Sequence, residues 1–470
     1  MPRRRVLLEA LLVVLLAGGG IAARAEIMAT GWVYVGGDSY GYVKLADEWR
    51  AHGRLAFGPA PLPEQWYRRP LYPLFVRFAK RDAPAMVNGG LGWKRIQRWQ
   101  LAIELILLWP LLYAAVRRRA GPAAALIALA LAAFFPPAAL YPLAALTEAM
   151  AMALALLAVA PLLERAADDA LWPWCLAGAG LGLSALLRPD GVLWAIAVVP
   201  ILMLGTASRR MKLRGLLAYS VVFAVLFLPW PIRNLIEFGH AHLTDGMVDR
   251  FGTDIPEYRG YWNWMRTWSR DERAAAYPSS CFYDPICVTK VDLFEGLGAL
   301  TAPATNADLE RVHVAGILER RQRLGLSKAV SDEFEQLAEA RLRAHPFRVL
   351  VWLPLRRAMR AWWAPPDELA QNSEMWPRFA RATVPHFKGC ARALYIVTLI
   401  SIFVLLLTPA YRMTGLILAT PLVFRSLILG WTAFSLPRYI SPGYPLCFAL
   451  IGIGIVISAG RVRALFVKPA

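Results

Sequence analysis

Charge is scarce in this sequence, and most of what there is has one sign. Only 18% of the 470 residues are charged, below the quarter usual in soluble domains. The 33 acidic residues face 52 Lys and Arg, a net charge of +19. Apolar residues make up 57%, gathered into runs of about 17–25 residues, each long enough to cross a bilayer as a helix. So little charge in so apolar a chain excludes a soluble enzyme and a disordered chain. Cysteine is equally sparse: five in the whole chain exclude a disulfide-dense secreted module. Histidine is present six times without a zinc signature. His240 and His242 form the only close pair, and two ligands without a third do not make a metal site. There is no strong internal repeat and no low-complexity segment.

Ten apolar runs are expected to span: about 6–25, 99–116, 121–135, 146–163, 170–187, 191–207, 215–231, 391–410, 413–434 and 440–460. A high pI often signals nucleic-acid binding. Here, however, the basic clusters sit at the ends of apolar runs, where orientation signals belong, so no nucleic-acid partner is expected. Arg3–Arg5, Arg117–Arg119, Arg165, the four basic residues of 209–214, Arg412 and the three of the tail put fifteen Lys and Arg in the short connections of one side. Arg188 and Arg438 are the two on the other. This asymmetry predicts both termini in the cytoplasm. The first span also resembles a signal peptide, with Ala23-Arg24-Ala25 as its small-residue site; its length favours an uncleaved helix, although Glu9 is awkward for either reading.

Two long connections, 26–98 and 232–390, fall on the outer side as extracytoplasmic regions. The expectation is one membrane domain over 1–470 carrying both. Within the second, 347–363 combines Arg348, Arg356, Arg357 and Arg360 with Trp352, Trp362 and Trp363. That composition suits a helix lying in the membrane interface better than a span. The preceding stretch, Ser331–Ala344, reads as a soluble helix capped by Ser331, with Phe334, Leu337, Ala338 and Leu342 on one face. Cys281 and Cys287 flank a Pro-containing turn in a compartment that permits a disulfide; two free thiols are the alternative. Cys175 and Cys447 lie within spans as small hydrophobes, and Cys390 at a boundary.

The residues that could carry chemistry cluster at the outer ends of the spans. Gly36-Gly37-Asp38-Ser39-Tyr40-Gly41-Tyr42 places a carboxylate at the start of an amphipathic helix, where Asp38 or Ser39 could equally be a simple N-cap. Arg68-Arg69-Pro70 ends another element, or is a membrane-edge turn with snorkelling arginines. Glu148 opens span four, and Arg188-Pro189-Asp190-Gly191 joins spans five and six. Arg233-Asn234 closes span seven, and Arg438-Tyr439 opens span ten. Acids and guanidiniums gathered at one membrane face are what a site needs if one substrate is a lipid phosphate.

These segments resemble the GT-C glycosyltransferases, specifically the family-39-like group of protein O-mannosyltransferases and aminoarabinose transferases. The resemblance is carried in order by Gly37-Asp38-Ser39-Tyr40-Gly41-Tyr42, Arg69-Pro70-Leu71-Tyr72-Pro73, Leu146-Thr147-Glu148, Ala185 to Gly191, Pro229 to Asn234 and Arg438-Tyr439. It implies an all-α polytopic membrane protein, a GT-C-type bundle of about ten transmembrane helices with two long extracytoplasmic loops, in a bacterial inner (plasma) membrane. It implies a polyprenyl-phosphate sugar donor, a glycan, lipid or protein acceptor on the outer face, and membrane lipid around both. By resemblance Asp38 is the catalytic base. Where many members have a second acid, this chain has Ser39.

A sugar transfer from a lipid phosphate needs a base for the acceptor hydroxyl and positive charge for the departing phosphate. Asp38 is the base candidate, and Glu148 could bind sugar hydroxyls or assist the base. Arg438, Arg233 and Arg69, with Tyr439, are the phosphate candidates; Arg188 and Asp190 complete the set. Arginines alone can neutralise a monophosphate, so no metal or other cofactor is expected, and one displacement would invert the anomeric carbon. The rival reading is a transporter or lipid flippase, suggested by Glu104 and Arg425 inside apolar spans. A third is a non-catalytic assembly protein. Long one-sided loops and the lack of a paired repeat favour the enzyme.

Overall fold

The computed structural model describes residues 2–29, 34–53, 68–83, 90–164, 170–238, 256–270, 327–364, 377–432 and 437–466, with single positions at 241 and between 313 and 323. Cys281, Cys287, His240 and His242 lie outside the described residues. The chain divides into two compact units. One comprises Met1–Leu243, Trp363–Arg425 and Ile440–Ala470; the other comprises Thr244–Trp362 and Ser426–Tyr439. Where a single domain was expected, the second unit falls inside the long region after span seven and is completed by a short segment before span ten.

Unit one is helical because its sequence is. Among the described residues, six helices are long and apolar enough to cross a membrane: Arg4–Ala29, Leu91–Phe134, Arg209–Glu237, His386–Leu406, Pro409–Gly430 and Pro437–Ala464. Three shorter apolar helices, Glu148–Leu163, Trp172–Leu187 and Pro189–Leu204, lie between the second and third. Each expected span thus falls on helix. Within the first unit we label α1 (Pro2–Ala29), α2 (Gly37–His52), α3 (Leu71–Lys80), α4 (Leu91–Ile103), α5 (Trp109–Phe134), α6 (Glu148–Val159), α7 (Trp172–Leu187), α8 (Arg209–Phe227) and α9 (Pro229–Phe238).

The expected gap between spans two and three is one residue inside α5. Gly121 adopts φ +83°, a conformation that side chains other than glycine resist, and Pro122 follows it. Two sets of contacts show that the chain folds back there. Arg24 of α1 donates to both oxygens of Glu104 (2.7 and 2.9 Å) and to the Ala133 carbonyl (2.7 Å), touching both arms of the hairpin at once. Near the turn, Arg117 pairs with Glu9 of α1, Arg118 with Glu164 at 2.6 Å, and Arg119 donates to Thr414 Oγ1 at 2.7 Å.

The two acids that looked out of place in apolar runs therefore have partners. Glu9 also accepts from Tyr113. Glu104, 2% exposed, accepts from Trp109 Nε1 at 3.1 Å as well. A buried charge is tolerable only when paired and hydrogen-bonded, and Arg24 and Glu104 meet that condition. α6 is apolar and buried on nearly every side, the pattern of a central helix. Cys447 is fully buried and Cys175 half-buried, both as free thiols.

Unit two is built on α10 (Pro256–Trp268) and α11 (Lys328–Ala344). Tyr261 and Trp264 of α10 pack on Phe334 of α11 at 5.4 and 5.2 Å between ring centres. The cap of α11 is Ser327, which accepts from the Val330 amide, not Ser331 as expected. Ser331 lies one turn inside, buried, and accepts from the Gly260 amide at 2.9 Å. Tertiary packing took a side chain that local capping rules would have left at the helix end.

The arginine-rich stretch forms a wide helical turn, Arg348–Trp352, leading into α12 (Leu353–Trp363). Phe347, Leu350, Val351, Trp352, Leu355 and Met359 are exposed along it, an apolar face beside arginines. Arg357 departs from the snorkelling expected of it. It is buried, with Nε on the Ser269 carbonyl (2.8 Å), Nη1 on Gly430 (3.3 Å) and Nη2 on Arg266 (2.5 Å). The first two carbonyls follow or end helices, whose last C=O groups need such donors. Burial, with Arg266 adding repulsion, pulls the Arg357 guanidinium down to about 9. The remaining long helices are α13 (Pro377–Leu406), α14 (Arg412–Gly430) and α15 (Tyr444–Phe466).

Candidate active site

An irregular stretch before α6 organises the site. Within it, buried amides from α4 meet the carbonyls of Pro142, Leu143 and Ala144. Gln97 Nε2 donates to Leu143 O (2.7 Å), and Gln100 Nε2 to Ala144 O (2.6 Å) and Pro142 O (3.0 Å). The same stretch receives the start of α2. Ala145 N donates to Tyr34 O at 3.1 Å, and Ser39 Oγ donates to Ala145 O at 2.8 Å while accepting from Gly36 N at 3.2 Å. Gly36, not Asp38, occupies the cap position of α2. The residue that replaces the second acid is thus a fastener: it ties the helix bearing Asp38 to the segment that delivers Glu148.

With Ser39 turned inward, Asp38 in the first turn of α2 keeps its carboxylate accessible. Its Oδ1 lies 3.3 Å from Arg68 Nη2, and the two side chains are 21% and 12% exposed. Arg68 also lies 4.8 Å above the ring of Tyr42. Gly41 makes that approach possible, since a Cβ there would stand 2.8 Å from the Arg68 guanidinium.

A second cluster lies deeper. Arg188 leaves the end of α7 in extended conformation, so its side chain reaches both flanking acids. Nη1 meets Glu148 Oε1 (3.0 Å) and Thr147 Oγ1 (2.9 Å), while Nε meets Asp190 Oδ1 (3.0 Å). Arg425 of α14 closes the chain on the other Asp190 oxygen and lies 5.2 Å over Trp194. Glu148 and Asp190 are 2% and 7% exposed.

Tyr42 links the two clusters. It is half-buried, edge-on to Tyr72 at 4.7 Å, and Tyr72 donates to Gln100 at 2.5 Å. Burial pushes the Tyr42 phenol up to about 12, with Asp38 and Glu148 adding and Arg68 and Arg188 opposing. One phenol therefore senses both carboxylate–guanidinium pairs.

Residues 95–232, under a third of the chain, match the family model of the dolichyl-phosphate-mannose-protein mannosyltransferases. They take in Gln97, Gln100, Glu148, Arg188 and Asp190. The chain is also similar to the crystal structure of the Archaeoglobus fulgidus oligosaccharyltransferase tethered to an acceptor peptide with the NVT sequon. That likeness has a TM-score of 0.50 and 12% identity, and it covers 98% of this chain and 51% of that one. This chain shares the fold of that oligosaccharyltransferase. The likeness concerns the fold alone, and this chain spans about half the length of the oligosaccharyltransferase chain. ArnT from Cupriavidus metallidurans is similar at 13% identity bound to undecaprenyl phosphate (TM-score 0.41; 98% of this chain, 79% of that) and at 15% in the apo state (0.38; 94% and 78%). No curated protein matches the chain by sequence.

The expected site residues fall into distinct settings on this fold. Asp38, Glu148 and Arg188 all act on Tyr42, and Asp190 joins them through Arg188. Glu148, expected to assist the base, is instead buried against Arg188. Arg69 is buried, 5.4 Å over Phe227. Arg233 is engaged on its own helix, by Glu237 (2.6 Å), Asn234 (3.0 Å) and the Trp230 ring (5.1 Å). Arg438 lies in unit two, 5.5 Å over the ring of Tyr439. The two charges that suggested transport do not pair with each other: Glu104 meets Arg24 and Arg425 meets Asp190. Arg68 was passed over for Arg69, since two adjacent arginines before a proline look alike in sequence. Gln97 and Gln100 were missed, although two amides three apart on a helix share a face.

Proposed function

We propose that this chain is an inverting membrane glycosyltransferase, moving a sugar from a polyprenyl-phosphate donor to an extracytoplasmic acceptor with Asp38 as general base. The observation that carries the reading is the contrast in exposure. Of the three carboxylates in the two clusters, Asp38 alone stays open to solvent while held by a guanidinium; Glu148 and Asp190 are buried in the Arg188 network. The family match supports a lipid-phosphate donor, since its description names dolichyl-phosphate mannose.

The acceptor hydroxyl gives its proton to Asp38 as its oxygen attacks the anomeric carbon. The bond from that carbon to phosphate oxygen breaks, and polyprenyl phosphate leaves. A single displacement inverts the centre. Guanidiniums stabilise the charge on the leaving phosphate without becoming deprotonated. Arg68, beside the base, joins Arg69 and Arg233 in that role. Glu148 and Asp190 act through Arg188 as positioning residues. Both termini then face the cytoplasm of a bacterial plasma membrane, with Asp38 on the opposite side. Transfer of labelled sugar from defined polyprenyl-phosphate donors by the purified protein tests this reading. Turnover with none of them, while the same preparation moves lipid between leaflets, would establish the flippase alternative.

Gly41→Ala tests the Arg68 setting without touching a charged group. The added methyl displaces the guanidinium from Asp38 and from the Tyr42 ring. We expect kcat to fall by about tenfold to a hundredfold, the range for small misplacements at a reacting centre, with thermal unfolding unchanged. Wild-type turnover in this variant would remove Arg68 from the site.

A further inference from the structure

Unit two contains a cavity of about 240 Å³ in the groove between α10 and α11, apart from the residues assigned above. Asn263 and Thr267 on α10 and Glu335 and Glu339 on α11 line it, each pair one helical turn apart, with Arg266 beside them and Trp431 at the edge. Neighbouring contacts between the same two helices are aromatic and close-packed, through Tyr261, Trp264 and Phe334. Packing alone does not account for a polar patch beside a hollow in such a seam, because apolar filling would avoid both the void and the desolvation of polar groups.

The chemistry of the patch narrows the ligand. Asn263 Nδ2 donates to both Glu335 oxygens (2.7 and 2.9 Å), which locks the two side chains together. The lining holds two carboxylates and two guanidiniums, and Arg357 spends its donors on three carbonyls. The cavity is therefore balanced in charge and unsuited to a strongly ionic group. Trp431 is 47% exposed, and an indole face is electron-rich and attracts polarised C–H bonds. The facing wall, from Leu342 to Pro354, is apolar. Fixed donors and acceptors on one side and an aromatic and apolar surface on the other match a ring that carries hydroxyls at its edge and C–H bonds on its faces. The volume accommodates one such ring rather than a length of peptide.

We propose that this cavity is a carbohydrate-binding site of unit two that holds one neutral sugar residue of the acceptor. The sugar residue belongs either to a free saccharide or to the headgroup of a glycolipid. The assignment to the acceptor rests on the transferase reading; the saccharide site itself does not. The test uses the full-length protein in detergent with labelled free neutral hexose and pentose oligosaccharides, and in lipid nanodiscs with the same headgroups on lipid. Release of polyprenyl phosphate from the donor is measured in parallel. We expect saccharide binding that Trp431→Ala and Glu335→Gln each weaken at least tenfold, with donor cleavage at saturating acceptor and thermal unfolding unchanged. Binding of the free form identifies a soluble glycan, and binding of the lipid-borne form alone identifies a glycolipid. No binding in either form, or binding indifferent to both substitutions, overturns the site even if donor cleavage is intact. Loss of donor cleavage in a protein that still binds saccharide counts against the transferase reading instead.

Discussion

Asp38→Asn is expected to lower sugar transfer by about 10²–10⁴-fold, the usual contribution of a positioned general base, in a protein that folds and inserts as wild type does. Asparagine keeps the shape of the side chain and can still meet the Arg68 guanidinium, but it cannot take a proton from a hydroxyl. Stability should barely move, because an ion pair at 3.3 Å with both partners partly exposed contributes little. The measurement is initial rate at saturating donor, beside thermal unfolding of the same preparation. Asp38→Glu should retain part of the rate. A folded Asp38→Asn variant with normal turnover would falsify the assignment.

Arg188→Met should instead appear as instability. Arg188 holds Glu148 and Asp190 together, and neither acid has solvent to fall back on. Removing one partner of a buried ion pair costs about 3–5 kcal/mol, because the remaining charge is left desolvated. Arg425 still covers Asp190, so Glu148 bears most of the loss. Adding Glu148→Gln should therefore recover part of the stability, a coupling expected of residues in contact. Arg188→Lys should not restore the wild type, since an ammonium cannot reproduce the fork that reaches Thr147, Glu148 and Asp190 together. Thermal unfolding in detergent checks this. Equal stability of the single and double variants would show that the network carries no cooperative load.

The membrane helices were legible because length and apolarity are local properties, and a run that must hide its backbone in lipid has few alternatives to helix. Arg117–Arg119 between two apolar runs marked the break that the structure places at Gly121. Asp38, Glu148, Arg188 and Asp190 were also legible, since acids and arginines next to apolar runs stand out against so little charge. What the sequence did not disclose was which group meets which. Glu104 and Arg425 stood out as charges inside apolar spans, yet their partners, Arg24 and Asp190, are 80 and 235 residues distant along the chain. The roles of Gln97, Gln100 and Arg357 follow from backbone carbonyls left open by irregular stretches and helix ends. Such demands arise only in the folded chain. Ser327 and Ser331 make the same point: local rules favour either as a cap, and contact with Gly260 decides.

The three arginines at the α5 hairpin fix an order of assembly during synthesis. Arg117 can find Glu9 as soon as the first hairpin has emerged, and Arg118 must wait for Glu164. The Arg119 contact with Thr414 cannot form until nearly nine-tenths of the chain has been made. The early helices therefore keep one corner unfastened while Thr244–Trp362 of unit two is being made, and the last third of the protein completes a joint begun by the first.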